Sequence, residues 1–554
     1  MAELVEEKKV ATETLTINGK TVSFFSGETI LEVARRSGIY IPTLCARADL
    51  PSIGSCRLCV VKVEGMRGYA TSCTTPAEPH MVVTTNSPEI EKLRRGILEL
   101  ILSEHPSACL VCSIRETCEK FSASSAKTGR VTGCNMCPNR DICELRQLVE
   151  YLGLKEIRYP FLYKNFPLER DDPFMDRDYN LCILCGRCIR VCQENLGLSA
   201  ISFIRRGHDT KVGTSFEKLH VDGNCVFCMH CVDVCPTGAL TVRGSKWYGY
   251  PDSETPTTCI LCERGCELVI DTKWNKVMGA HPIRDMSAGK REYCVKGRCC
   301  LPALFNSPDR LKYPSIRRDD GKIIYTDWDN AVRHVSQIVS HYSPKEIGIL
   351  CSRHLTDESI YAMNEFARIY AESNIFYVAE GGIIFPSIEK SDEIFKNIKI
   401  LYLAEANSFT HETMERFGSL ENIIIQDIYP SALSRSDKVC AVLPTTVFTE
   451  MNGTKTCADN RREVITKAAE PPGNALPDWE ITIHIGNALN NAGFRIRDFR
   501  SIQSNIQMHP WIIAAVPMVP KDSLTYRGFP IADFVPDFRI FVEGRLKSKG
   551  EIHF

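Results

Sequence analysis

Apolar and polar positions change their spacing several times along this chain. In "LTINGKTVSFF", apolar residues alternate with polar ones on either side of Asn18-Gly19. Alternation predicts two half-buried strands, and Asn-Gly predicts the two-residue turn that joins them. "ETILEVARRSG" then switches to helical spacing and stops at Gly38, a position suited to the left-handed residue after a helix. "IEKLRRGILELILSEHP" predicts an amphipathic helix ending at His105. "EKFSASSAKTGRVTG" has no period and is rich in small polar residues, so it reads as a surface loop, and "ELRQLVEYLG" is helical again.

Past residue 310 the texture changes. "EIGILCS", "IKILYLAEA", "NIIIQDIY" and "KVCAVLP" are short apolar runs, as expected of strands buried on both faces. "DWDNAVRHVSQIVSHY" and "TDESIYAMNEFARIYAES" predict helices capped by Asp327 and Thr356. Helices alternating with buried strands predict βαβ units and a doubly wound sheet. Cys351 and Cys440 fall inside such strands and are expected to be core residues. Near the C-terminus, "GFPIADFVPDF" is too rich in Pro and Phe to predict a regular element.

Composition refines this reading. A chain of 554 residues, 44% of them hydrophobic, suggests several domains with well-packed cores. A net charge of -1 leaves no electrostatic footprint for nucleic acid. No apolar run reaches the roughly 18 residues of a spanning helix. "MAELVEEKKVATE" does not resemble a signal peptide, and Arg35-Arg36 sits on a predicted helix rather than in an export signal. The expectation is a cytoplasmic protein with no direct membrane insertion.

Cysteine changes the picture most. Of 27 cysteines, 24 precede residue 301, mostly as CxxC. A disulfide framework suits small secreted domains, so thiolate ligation of metal in a reducing compartment is the better reading. Cys45, Cys56, Cys59 and Cys73, around "GSCRLCVVKV", suit a loop wrapped about a [2Fe–2S] rhomb. Gly54 and Ser55 there let backbone N–H groups approach the sulfides. "CILCGRCIRVC" and "CVFCMHCVDVCPTGAL" are both CxxCxxCxxxC, the two-cluster ferredoxin pattern, in which the fourth Cys of each run serves the other cluster. One [4Fe–4S] is then assigned to Cys182, Cys185, Cys188 and Cys235, and the other to Cys225, Cys228, Cys231 and Cys192. Gln193 stands where Pro follows the second run, which puts the local turn in question. Cys259, Cys262, Cys266 and Cys294 suit one more cubane, with a four-thiolate Zn²⁺ site as the alternative.

The order of these pieces resembles the large iron–sulfur subunit of the complex I peripheral arm and the large subunits of NAD-linked formate dehydrogenases. The resemblance runs over roughly residues 12–490. Members of this family also occur in hydrogenase-linked and electron-bifurcating complexes. In that family HxxxCxxCxxxxxC gives a [4Fe–4S] with one His ligand, and His105, Cys109, Cys112 and Cys118 fit it. The trio recurs at a constant offset of 25, as Cys134, Cys137 and Cys143. Two readings stand open. The first trio holds the cluster and the second holds another metal, or His105, Cys109 and Cys112 pair with Cys143 and the remaining thiols form a separate site. Either way the ligand count implies one cluster plus a Zn²⁺ or an additional cluster.

Cys294-Val295-Lys296-Gly297 resembles the formate dehydrogenase family, where the Lys lies between cluster and pterin, which implies a cofactor-facing Lys296. "LPTTVFTEMNGTKTCADNRREV" and "AAEPPGNALPDWEI" are similar to a pterin-contacting segment, with Cys457 replacing an Asn. Between Leu355 and Gln426 no Cys is present to ligate molybdenum, the sole His is His411, and no C-terminal pterin-binding domain is expected.

The resemblance therefore implies a β-grasp [2Fe–2S] domain (12–90), a His/Cys cluster domain with the duplicated trio (91–170), and a two-[4Fe–4S] ferredoxin (171–248). A [4Fe–4S] module of molybdopterin-oxidoreductase type (252–312), a truncated α/β domain (313–500) and a C-terminal extension (501–554) follow. It implies one [2Fe–2S], about four [4Fe–4S] and no molybdopterin. The implied function is electron transfer between a flavin/NAD-binding subunit, accompanied by a small [2Fe–2S] subunit, and a further redox partner. Alternatives are a catalytic formate dehydrogenase-like subunit and a non-redox assembly scaffold.

Overall fold

In the computed structural model the alternation around Asn18-Gly19 becomes the expected hairpin. β1 (Glu13–Ile17) and β2 (Lys20–Phe24) pair antiparallel across Asn18 at φ 52° and Gly19 at φ 80°. Positive φ at both central residues matches the turn twist to the strand twist. α1 (Ile30–Arg36) follows, with Thr29 and Glu32 capping each other reciprocally. β3 (Val60–Val63), β4 (Ala70–Thr71) and β5 (Val82–Thr84) complete a mixed sheet in the order β2-β1-β5-β3-β4. Ile30, Val33 and Ala34 of α1 pack on Leu15, Ile17 and Val61 of that sheet, which is the β-grasp arrangement.

α2 (Pro88–Leu102) starts at its Ser87 cap and stops short of His105. Pro106 accounts for the difference, because the residue before a proline is biased away from the helical region. α3 (Glu144–Tyr151) begins directly after Cys143. Leu98 and Leu102 of α2 share an apolar cluster with Leu145, Leu148 and Val149 of α3. In the ferredoxin segment, Met175–Arg177 pairs antiparallel with Leu240–Val242, and short helices Arg187–Arg190 and His230–Asp233 follow the two CxxC stretches. The first helix runs on into a π-helical turn, Val191–Asn195, whereas the second stops before Pro236. Gln193 supplies the N–H that a proline lacks, so the turn question raised by its presence resolves as a longer helix.

The structure describes residues 13–112, 142–243, 251–283, 293–351, 354–379, 382–384, 393–404 and 419–508, residues 134, 137, 139 and 417, and short pieces between 525 and 543. The predicted surface loop after Cys118, Cys118 itself and His411 lie outside the described residues. The chain divides into two units, Met1–Tyr250 with Arg284–Glu292, and Pro251–Ile283 with Tyr293–Phe554.

The second unit opens on a three-stranded antiparallel sheet, Ser253–Cys259, Cys266–Lys273 and Lys276–His281. Its main sheet has eight strands. Val439–Pro444, Asn422–Asp427, Ile400–Leu403, Ile347–Cys351 and Ile375–Ala379 are parallel neighbours in that order, and the edges are antiparallel. Alternate residues supply two cores. Ile349, Cys351, Tyr402 and Ile424 face helices Trp328–Ser340, Asp357–Tyr370 and Asp478–Ala488, while Leu350, Leu401, Leu403 and Ile425 face Phe395 and Phe417. Burial on both faces is why these strands read as continuous apolar runs.

The C-terminal expectation is corrected. Phe529–Pro530 pairs with Thr525–Tyr526, and Ile531–Phe534 is helical. Ile531, Val535, Phe538 and Phe541 are all buried, a near-helical spacing that the prolines mask in the sequence.

Candidate metal centres

Cys45, Cys56, Cys59 and Cys73 are all buried in the first unit. Hydrogen bonds link Cys45 to both Cys56 and Cys73, and Cys59 to Cys73, so the four sulfurs form one connected group. Hydrogen bonds from Cys56 and Cys73 hold the Cys45 thiol down, and that from Cys73 holds Cys59 down. The donors Cys56 and Cys73 are pushed up by the same bonds and by burial. The Leu44 N–H lies 3.4 Å from Cys56 Sγ, and Ser55 donates its backbone N–H to Cys45. Four thiols gathered in a buried loop, with N–H groups aimed at sulfur, match the donor set of an iron–sulfur site.

The ferredoxin cysteines surround two cavities. Cys182, Cys185, Cys188 and Cys235 line one, and Cys192, Cys225, Cys228 and Cys231 line the other. Cys192 thus faces the thiols of the second run, and Cys235 those of the first. The two runs repeat one backbone device. Leu184 and Gly186, and likewise Phe227 and Met229, lie two and four residues past the leading Cys and all have positive φ. The Leu184 N–H lies 3.4 Å from Cys182 Sγ and the Phe227 N–H 3.5 Å from Cys225 Sγ. Left-handed backbone at non-glycine residues persists where the surroundings over-determine it. Burial pushes Cys182 up to about 11 and Cys185 and Cys225 up to about 12, with neighbouring sulfurs adding to the effect. A bound cation removes that penalty by taking the thiolate form.

His105 is buried just past α2. Burial holds its imidazole down to about 4, and neither ring nitrogen has a hydrogen-bond partner among the described residues. An orphaned buried imidazole fits a metal-ligand role. Cys134, Cys137 and Cys143 are buried, Cys109 is half-buried and Cys112 is exposed. Burial pushes Cys134 up to about 12, and the nearby sulfurs of Cys143, Cys137 and Cys109 add to it. Cys137 shares a small apolar cluster with Leu181 and Ala239, against which Cys182 and Cys235 pack.

Sequence reasoning missed the arginines that join these sites. Arg190 donates to the carbonyl of Cys45 at 2.6 Å and to that of Cys185 at 3.4 Å, fastening the [2Fe–2S] loop to the first ferredoxin run. Arg187 makes a bidentate pair with Glu144 at 2.5 and 2.7 Å. Both follow Cys185 as ordinary basic residues, and no local signal marks their partners.

In the second unit, Cys259 and Cys266 are register partners at the end of a hairpin. Burial raises the Cys259 thiol, with Cys266, Cys262 and Cys294 nearby adding to the effect, so the four come together. Lys296 is fully buried in the π-helical turn Lys296–Cys300, and its charge opposes the rise at Cys262. Two neighbours come from far along the chain. Lys455 pairs with Glu263 at 3.1 Å, both buried, and the Cys457 sulfur presses on Gly265. Cys457 therefore packs on the ligand loop. Also in this unit, Glu254, Asp271 and His281 converge on the three-stranded sheet within 4.8 Å of one another. No helix among the described residues is long and apolar enough to cross a membrane.

Four family models match segments of the chain. Residues 11–88 match a 2Fe-2S iron-sulfur cluster binding domain, and residues 94–119 an NADH-ubiquinone oxidoreductase-G iron-sulfur binding region. Residues 172–241 match the ferredoxin-like domain of NADH-quinone oxidoreductase subunit 3, and residues 310–390 and 385–488 match molybdopterin oxidoreductase. The chain is 38% identical over 239 residues to NADP-reducing hydrogenase subunit HndD of Solidesulfovibrio fructosivorans, covering 42% of this chain and 37% of that one. It is 28% identical over 368 residues to the mitochondrial NADH-ubiquinone oxidoreductase 78 kDa subunit of Neurospora crassa, covering 65% of this chain and 45% of that one. The chain thus spans under half the length of these relatives. A crystal structure of an NAD+-reducing [NiFe]-hydrogenase in the H2-reduced state covers 42% of this chain and 88% of its own, at 27% identity and a TM-score of 0.36.

Proposed function

From the kinship of this chain with the iron–sulfur subunits of NADH-linked oxidoreductases, we propose that it is the electron-transfer subunit of such a complex. It conducts electrons between a flavin/NAD-binding subunit, with its small [2Fe–2S] companion, and a further redox partner. The observation that carries this reading is the pair of adjoining four-cysteine cavities formed by the crossing of Cys192 and Cys235. A zinc site does not need two thiol sets interlocked in this way, whereas a two-cluster ferredoxin does.

When bound, iron–sulfur clusters supply one-electron redox capacity. Cys45, Cys56, Cys59 and Cys73 hold a [2Fe–2S], and the two ferredoxin sets hold one [4Fe–4S] each. Cys259, Cys262, Cys266 and Cys294 hold another [4Fe–4S], and the His105 region holds a fourth. The remaining thiols of the duplicated trio are open to a Zn²⁺ or an additional cluster. The protein supplies separation and tuning. Arg190 fixes the Cys45 loop against Cys185, and apolar packing joins Cys137 to Cys182 and Cys235, so neighbouring sites of the first unit stay close and dry. Backbone N–H groups aimed at Cys56, Cys182 and Cys225 stabilise added negative charge on sulfur. In the second unit, buried Lys296 places a positive charge beside Cys262. No Cys between Leu355 and Gln426 is present to ligate molybdenum, so the α/β part carries no catalytic pterin in this reading.

The test is copurification of the native complex followed by EPR after dithionite reduction. The expected result is a flavin-containing partner together with reducible [2Fe–2S] and [4Fe–4S] signals. A metal-containing chain with no reducible signal identifies a scaffold, and formate oxidation by this chain with stoichiometric molybdenum or tungsten identifies a catalytic subunit.

A further inference from the structure

Lys455 is fully buried, a place a lysine rarely takes without a partner. It lies on a hairpin of Gly453–Thr456 and Arg462–Ile465. Its Nζ is 3.1 Å from Glu263 Oε1, and Glu263, itself 5% exposed, directly follows the candidate ligand Cys262. Glu463, the cross-strand neighbour of Lys455, is paired with Arg461.

Other contacts already dock this hairpin on the ligand-bearing sheet. The Ala458 N–H donates to the Glu263 carbonyl at 2.9 Å, Thr258 Oγ1 to the Val464 carbonyl at 2.8 Å and the Thr466 N–H to Thr257 Oγ1 at 2.9 Å. Taking two ions out of water is costly, so a buried pair is weak evidence for a stabilising role. Its electrostatic effect falls on the ligands. Burial raises the Cys262 thiol, the charge of buried Lys296 opposes that rise, and the Glu263 carboxylate adds to it. Two charges of opposite sign therefore act on one sulfur, in a dry site where salt screens them little. An electron gained by a thiolate-held cluster adds one negative charge. A nearby cation favours that reduced form, and an uncompensated carboxylate disfavours it.

We infer that Lys455 is a positioning residue for electron transfer: held against Glu263, its charge cancels that carboxylate at the cluster of Cys259, Cys262, Cys266 and Cys294, and leaves Lys296 to raise the reduction potential. Lys455 acts through Glu263. The electron comes from the redox partner, and no proton moves with it. This rests on the electron-transfer reading and on a [4Fe–4S] at these four cysteines.

The test is a redox titration of the full holoprotein with dithionite and mediators, followed by EPR. The signal of this cluster is the one that Cys294→Ala abolishes. At the wild-type midpoint, Lys455→Met is expected to lower the ratio of reduced to oxidised cluster about tenfold, which is 59 mV for one electron. Glu263→Gln is expected to raise that ratio, Lys455→Arg to keep it, and Lys455→Met/Glu263→Gln to return it toward the wild-type value. A pair that only holds the fold in place does not give opposite shifts in the two single variants. A midpoint unmoved by Glu263→Gln, or moved in the same direction by both single variants, overturns the inference. Glu263→Gln preserves the size of the side chain, so it decides the matter even if Lys455→Met fails to fold. If Cys294→Ala abolishes no signal, the four-cysteine assignment falls. A wild-type protein with no reducible signal at all overturns the electron-transfer reading.

Discussion

Gly265→Ala tests the packing of the ligand loop in the second unit. Gly265 has φ 64°, and a Cβ there would collide with Cys457 Sγ and lie 3.5 Å from both Cys457 Cβ and Glu463 Cγ. The left-handed backbone costs an L-residue roughly 1–2 kcal/mol. Forcing the sulfur aside in a packed site costs about 1–3 kcal/mol more. Together these give about 2–5 kcal/mol, and at tenfold per 1.4 kcal/mol this is a roughly 30- to 4000-fold rise in local opening. Hydrogen exchange is the suitable assay, since a multidomain metalloprotein has no single well-defined unfolding free energy. Amides of Ser253–Cys259 and Gly453–Thr456 are the reporters, because Ala458 N–H bonds to Glu263 O and ties the two segments together. Cys457→Ala in the same chain removes the collision and leaves the backbone strain, so the double variant is expected to recover all but about 1–2 kcal/mol. Wild-type protection in Gly265→Ala, or no recovery in the double variant, refutes the claim that Cys457 packs against this loop.

Three further outcomes are expected. Cys235→Ala impairs the cluster of Cys182, Cys185 and Cys188, read by EPR of the reduced protein, and loss confined to the cluster of Cys225, Cys228 and Cys231 refutes the crossing. Elemental analysis finds no stoichiometric molybdenum or tungsten, and Cys294→Ala loses about four irons, so full iron in that variant removes Cys294 from the ligand set. Glu346 is held down to about 2 by hydrogen bonds from Lys399 and Ser343. Its folded-state value lies below its unfolded one, so its contribution is complete above about pH 4.5 and disappears as pH falls toward 2. Glu346→Gln should therefore flatten the acid dependence of exchange in the adjoining strand Ile347–Cys351, and an unchanged acid slope contradicts this.

Much of this protein was legible in its sequence because its signals are local. A cluster draws several ligands from one short loop, so CxxCxxCxxxC announces itself without knowledge of the fold. The apolar runs at Ile347–Cys351 and Asn422–Asp427 announced buried parallel strands because both their faces are covered. The Asn18-Gly19 turn and the Asp327 and Thr356 caps were legible for the same reason, since each acts on residues two or three positions away.

Only the tertiary structure decided the rest. Arg190 reaching Cys45, Lys455 reaching Glu263 and Cys457 pressing on Gly265 join residues with no fixed spacing, and burial gives each pair its weight by excluding water. The C-terminal run of Ile531, Val535, Phe538 and Phe541 was hidden by its prolines and appears once the chain packs. The duplicated trio shows the division most plainly. The sequence supplies two copies with identical Cys spacing, and only the first stands four residues after a His, His105. Folding buries Cys134, Cys137 and Cys143 and leaves Cys109 half-buried and Cys112 exposed, because desolvation depends on what the whole chain brings to a site.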